Sequence, residues 1–181
     1  MNPRRWWEEL VYATFIASGV PKHELDPKFD QLFDSLYMRF TSDLGYSKFH
    51  DSIDCLKELQ RHNIYTGVIS NSDERLTDVL KSLKLTPYLD FVLPSYRAGF
   101  EKPDKEIFDQ ALRLVGTPIK PEEALHVGDD INTDYRGTFY DRDTKPLSDS
   151  FKNNNPIYRG TTGWMERHIT RTKYLIFISF V

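Results

Sequence analysis

Between Trp6 and about Met38 the apolar positions Trp7, Leu10, Val11 and Phe15, then Phe29, Leu32, Phe33, Leu36 and Tyr37, recur at three- and four-residue steps. That period predicts two amphipathic helices with these residues turned inward. Gly19, Pro21 and Pro27 punctuate the backbone between them. Trp6 and Trp7 read as large aromatics that anchor a helix to its neighbour. A third helix is expected from about Asp51 to His62, burying Ile53, Leu56 and Leu59 and closing near Asn63, a residue suited to a left-handed cap.

The period then alternates. "IYTGVIS" is a β-branched run that turns directly into Asn71-Ser72-Asp73, and "DERLTDVLKSL" returns to a helical spacing with Leu76, Val79, Leu80 and Leu83 on one face. "DFVLP" reads as a strand, "PDKEIFDQALRLVG" as a helix with Ile107, Phe108, Ala111, Leu112 and Val115 inward, and "ALHVGDD" as another strand. Strand and helix thus alternate from Ile64 to about Gly137, which predicts βαβ units and an α/β fold with a parallel sheet. Ligands of such sheets sit beyond the carboxyl ends of the strands.

Past Gly137 the pattern stops. "TFYDRDTKPLSDSFKNNNPIYRGTTG" is polar and aperiodic and reads as a long loop or disordered insertion. The final "YLIFISFV", Tyr174 to Val181, has apolar side chains that do not alternate with polar ones, the pattern of a strand covered on both faces. It is far short of the ~20 residues a membrane-spanning helix needs.

Composition narrows the function classes. A chain of 181 residues with 39% hydrophobic and 28% charged residues fits a soluble globular protein with one principal core. A formal net charge of -3 calls for neither nucleic acid nor an anionic membrane as partner. Cys55 is the only cysteine, which excludes an internal disulfide and any multi-cysteine metal site, and suits a reducing compartment. "MNPRRWWEELVYATF" lacks the apolar run and small-residue cleavage site of a secretory signal, so a cytoplasmic location is expected.

Three polar clusters fall where the sheet would gather them. Ser70 and Asn71 end an apolar strand just before a helix, which makes either a neutral anion site or simply a helix cap. Lys102 precedes Pro103 and a helix start, so its ammonium can be aimed at a phosphoryl oxygen from a restrained backbone. Gly128-Asp129-Asp130 is followed by Asp134, five residues after Asp129; three carboxylates at a strand exit repel one another and suit a hard cation such as Mg²⁺.

In this order, "VISNSD", "EKPDKEIF" and "HVGDDINTDYRG" resemble motifs two, three and four of the haloacid dehalogenase superfamily of Mg²⁺-dependent hydrolases, in the branch with a helical cap. The resemblance implies a Rossmann-like core at 51–137, a partial cap at 1–50, and a divergent loop and C-terminal strand at 138–181. It implies catalytic roles for three residues: Ser70 bonds the transferring phosphoryl group, Asn71 helps to position it, and Lys102 neutralises charge. The metal would fall to Asp129 directly, to Asp134 through water or as a second ligand, and to Asp130 as the third acid of the cluster. The partner so implied is a small phosphorylated molecule or inorganic phosphate.

The family's first motif, a strand ending in Asp-x-Asp-x-Thr that supplies the attacking aspartate, has no counterpart before the cap-like helices. Asp141-x-Asp143 comes after the fourth motif, lacks the apolar strand in front, and has its threonine one place early. The expectation is therefore an N-terminally truncated, catalytically incomplete hydrolase, or else a non-catalytic protein that keeps the anion site for a phosphorylated ligand or a protein partner, or a sequence whose first motif lies upstream of Met1. In the family that first strand lies between those carrying motifs two and four, so its absence would leave two buried edges with unpaired backbone groups, each costing about 1 to 3 kcal/mol. "KYLIFISFV" can fill that gap or form the last strand of the sheet, and the latter is the plainer reading.

Overall fold

A computed structural model describes residues 2–135 and 175–179. The expected loop at 138–163 and the Asp141-x-Asp143 segment lie outside the described residues. Two compact units are present: Met1–Lys48 with Arg75–Lys84, and Phe49–Glu74 with Leu85–Val181.

In the first unit, helix α1 (Pro3–Ala17) starts at Asn2, whose side chain accepts a hydrogen bond from the Arg4 amide at 3.0 Å, with Pro3 in the first turn. A short α2 (Lys22–Leu25) and α3 (Phe29–Arg39) follow. Leu25, Phe29 and Phe33 form the buried cluster, packed by Trp7, Val11, Tyr12, Phe15, Val20, Leu32 and Tyr37. The helical period was legible, but Leu10 was assigned inward and is 41% exposed. Trp7 joins the cluster, while Trp6 is half exposed and meets it edge-on with ring centroids 5.3 Å apart.

Helix α5 (Arg75–Ser82) groups with these helices, although its sequence position lies within the 51–137 segment. Its first residue gives the physical reason. Arg75 is buried with its guanidinium 4.5 Å from the Trp7 ring centroid and 4.9 Å from that of Tyr37, a cation held between two aromatic faces. At the other end Ser82 Oγ accepts from the Asp43 amide at 2.9 Å and donates to Asp43 Oδ1 at 2.8 Å. Leu76, Val79 and Leu80 are buried, as the spacing predicted.

The second unit is an α/β sheet. Helix α4 (Ser52–Arg61) buries Leu56 and Leu59 and is followed by Asn63 at φ 55°, the left-handed cap expected there. Strands β1 (Tyr65–Ser70), β2 (Phe91–Pro94), β3 (Ala124–Val127) and β4 (Leu175–Ser179) lie in the order β2-β1-β4-β3, all parallel. Between β2 and β3 come a short α6 (Ser95–Ala98) and α7 (Lys105–Leu114). Ile107, Phe108 and Ala111 of α7 pack on Ile69, Leu93, Ala98 and Ile119. Burying a side chain such as Phe108 contributes about 1.5–3 kcal/mol. Gly67 pairs with Phe91, whose ring covers it so closely that a Cβ there would fall 2.1 Å from a ring carbon.

The C-terminal strand is not the last of the sheet. β4 lies between β1 and β3, pairing Tyr65 with Leu175 through Ile69 with Ser179 on one side, and Ala124 with Leu175 through Val127 with Ile178 on the other. The plainer placement is thereby corrected. Both inner edges thereby find partners in β4. Among the described residues no helix is long and apolar enough to cross a membrane.

Candidate functional site

Because every strand is parallel, the carboxyl ends of β1, β4 and β3 share one rim. Ser70 closes β1, one residue past the Ile69–Ser179 pair, and Gly128-Asp129 follows Val127, the partner of Ile178. Ser70 is buried. The loop after it is held by α6: the Ser72 carbonyl accepts from the Tyr96 amide at 3.1 Å and from Ser95 Oγ at 3.2 Å.

Asn71 reaches across to Lys102 and clasps its backbone from both sides. The Lys102 amide donates to Asn71 Oδ1 at 2.7 Å, and Asn71 Nδ2 donates to the Lys102 carbonyl at 2.9 Å. The Lys102–Pro103 peptide bond is cis, and Asp104 caps α7 by accepting from the Glu106 amide at 2.9 Å. Lys102 thus enters the rim from a backbone fixed at Asn71 and at the start of α7.

Its ammonium does not go to solvent. Lys102 Nζ donates to Asp134 Oδ1 at 2.6 Å, with both side chains 4% exposed. The same Oδ1 is 2.9 Å from His126 Nε2, on the 3% exposed imidazole projecting from β3. Asp134 Oδ2 accepts from the Asp130 amide at 3.1 Å. It also lies where a side chain at position 128 would go, since a Cβ on Gly128 would fall 2.2 Å from it. Burial pushes the Asp134 pKa up, but the hydrogen bonds of His126, Lys102 and the Asp130 amide outweigh it and bring the value down to about 2. Burial lowers the His126 pKa against the opposing pull of Asp134. An ionised carboxylate only accepts, so the shared proton sits on Nε2.

Asp130 has a different task. Its Oδ1 accepts from the amides of Asn132 at 2.7 Å and Thr133 at 2.8 Å, and its carbonyl accepts from the Asp134 amide at 2.9 Å. These bonds start the π-helical turn Ile131–Tyr135 that delivers Asp134 to the lysine. The amides of Thr133 and Asn132 also lower the Asp130 pKa. Asp129 is exposed, and among the described residues its carboxylate has no hydrogen bond or salt bridge.

The three acids therefore face three ways. Among the described residues no group of three His, Cys, Asp or Glu side chains gathers as a metal site. Asp134 spends its oxygens on Lys102, His126 and an amide and Asp130 spends Oδ1 on capping, which leaves Asp129 and the second oxygen of Asp130, both on exposed residues, to meet a cation. That donor set does not fit a protein-held Mg²⁺ shared by all three. Asn71, Lys102 and Asp134 are joined by hydrogen bonds, and Ser70 is buried beside Asn71 at the end of β1. His126 was not among the expected site residues; its signal was a lone imidazole-bearing position inside the apolar run "ALHV".

An α/β parallel sheet with a Ser-Asn strand end, a lysine before a helix and an acidic turn at one rim defines a hydrolase-type core. The family profile of haloacid dehalogenase-like hydrolases matches residues 1–137, and the chain belongs to that family. Over 142 residues it is 37% identical to the Rhythmically expressed gene 2 protein of Drosophila melanogaster, covering 75% of this chain and 53% of that one. Over 137 residues it is 36% identical to the human Haloacid dehalogenase-like hydrolase domain-containing protein 3, covering 76% and 53%. A shorter match, 36% over 90 residues, is to a glyceraldehyde 3-phosphate phosphatase of Methanothermobacter thermautotrophicus, covering 49% and 39%. Among solved structures, a HAD phosphatase from Thermococcus onnurineus superposes with a TM-score of 0.52 at 26% identity, over 61% of this chain and 52% of that one. The chain spans about half the length of the curated relatives it matches.

Proposed function

We propose that the rim is a phosphate-ester site of the phosphatase type, binding a small phosphorylated molecule or inorganic phosphate, with little turnover by the residues of this chain. The observation that carries the proposal is the Lys102 ammonium, buried and bonded to Asp134 beside the Asn71 clasp. A positive charge kept out of water at a strand rim acts strongly on an arriving phosphoryl oxygen. Ser70 supplies a hydroxyl for the same group, and Asn71 acts by fixing the lysine backbone. A phosphatase among the relatives supports the substrate class.

The low turnover rests on β4. In the superfamily the attacking aspartate stands at the end of the strand between motifs two and four, and here that position is taken by "LIFIS", which contains no carboxylate. Mg²⁺ has the Asp129 carboxylate and the second oxygen of Asp130 to meet, and no step here is routed through it. The same fact favours the second reading, a phospho-ligand or protein-binding protein that does not hydrolyse.

The test uses the purified chain with p-nitrophenyl phosphate and Mg²⁺, next to an Asp129→Ala control. Equal, background-level turnover is expected, together with a rise in melting temperature on adding orthophosphate that Ser70→Ala diminishes. At ten times Kd that stabilisation is about 1.4 kcal/mol. Turnover well above the control would overturn the incomplete-enzyme reading, and no thermal shift at saturating phosphate would overturn the anion site.

A further inference from the structure

We propose that His126 is a positioning residue of this site, holding Asp134 so that Asp134 in turn holds the Lys102 ammonium at the rim. The inference deepens the phosphate-site reading and rests on it for the ligand, but not for the geometry. A lysine side chain has four rotatable bonds, so its charge sits where its contacts put it. Here Nζ donates to Asp134 Oδ1 at 2.6 Å. The carboxylate can rotate about its own bond unless its oxygens are pinned, and each is: Oδ2 by the Asp130 amide at 3.1 Å, Oδ1 by His126 Nε2 at 2.9 Å.

His126 is the rigid end of this relay. It stands on β3, pairs in register with Phe177 of β4, and its imidazole meets the Phe108 ring edge-on at 5.3 Å and 88°. Asp130 belongs to the same short turn as Asp134 and moves with it, whereas His126 ties the carboxylate to the sheet.

The experiment compares the full chain with His126→Phe, which fills the space without a donor, and His126→Gln, which restores an N–H. Folding is checked by circular dichroism, and His126→Met replaces His126→Phe should the latter not fold. Two signals are read: orthophosphate Kd by calorimetry, and the Lys102 ammonium resonance in ¹⁵N-lysine NMR without phosphate. Expected are a phosphate affinity about tenfold weaker in His126→Phe, as for loss of one charge-assisted hydrogen bond, recovery to within about threefold in His126→Gln, and an ammonium signal lost in the first and kept in the second. A folded donor-less variant with an unchanged ammonium signal would overturn the inference, as would equal losses in both variants, which would mark a packing role only. Failure of the wild-type chain to bind phosphate sinks the phosphate reading alone, and the NMR signal still decides the role of His126.

Discussion

Replacing Lys102 by Met keeps most of the buried stem and removes the charge, which makes it the sharpest probe of the rim. In the wild type Nζ and Oδ1 are 2.6 Å apart and both side chains are 4% exposed. Removing one partner of a buried pair leaves the other charge without compensation, at a cost of about 3–5 kcal/mol. Asp134 keeps His126 and the Asp130 amide as donors, so the low end, about 3 kcal/mol, is expected. Against a total stability of ~5–15 kcal/mol that is a large fraction.

Urea unfolding of four proteins at pH 7 tests it: wild type, Lys102→Met, Asp134→Asn, and the double variant. The two substitutions should be non-additive, because the penalty is the orphaned charge and not the lost contact. The double variant should be more stable than Lys102→Met alone. Acid should narrow the gap between Lys102→Met and wild type, since the orphaned carboxylate gains a proton more readily than the paired one. A loss below about 1 kcal/mol in Lys102→Met, or strict additivity in the cycle, would refute the buried pair.

Two further outcomes follow from the same geometry. Asp134 titrates at about 2 in the fold against 3.8 in its ordinary state, so its contribution is present above pH 4 and lost as pH falls toward 2; the difference amounts to about 2 kcal/mol, and acid unfolding curves of Asp134→Asn should lack that limb, while an identical limb in both would count against it. As an inner strand with a partner on each side, β4 should protect its amides from Leu175 to Ser179 in hydrogen exchange to the level of Tyr65 to Ser70, and exchange as fast as unstructured backbone would remove β4 from the sheet.

The sequence made the helices and strands legible wherever burial on one face imposes a period. α5 and α7 show this, with Leu76, Val79, Leu80, Ile107, Phe108 and Ala111 all buried as spaced. It failed at Leu10, because a three-to-four step marks a stripe without saying how wide the covered stripe is. It also left open where β4 belongs, since an apolar run identifies a strand covered on both faces and carries no information on which strands lie at its edges. The grouping of Ser70, Asn71, Lys102 and Asp134 was readable because parallel strands end at one rim. The separate tasks of the acids were not, as they depend on the turn that follows Asp130: its side chain bonds the amides two and three residues on, and Asp134 swings inward to the lysine.

The strand that completes the sheet also sets its chemistry. β4 satisfies two inner edges, and its register brings Ser179 level with Ile69, between the strand ending in Ser70 and the one leading to Asp129. In the proposed reading an anion there meets the Ser70 hydroxyl at the end of β1 and the buried ammonium of the Asn71-clasped Lys102. Attack on phosphorus by the family's route requires a carboxylate at the end of the middle strand, and "LIFIS" contains none. The two requirements are physically separable, since anion binding draws on β1 and the start of α7 while attack draws on the strand between β1 and β3. In the proposed reading the first requirement falls to Ser70 and Lys102, and the second meets a middle strand whose sequence is "LIFIS".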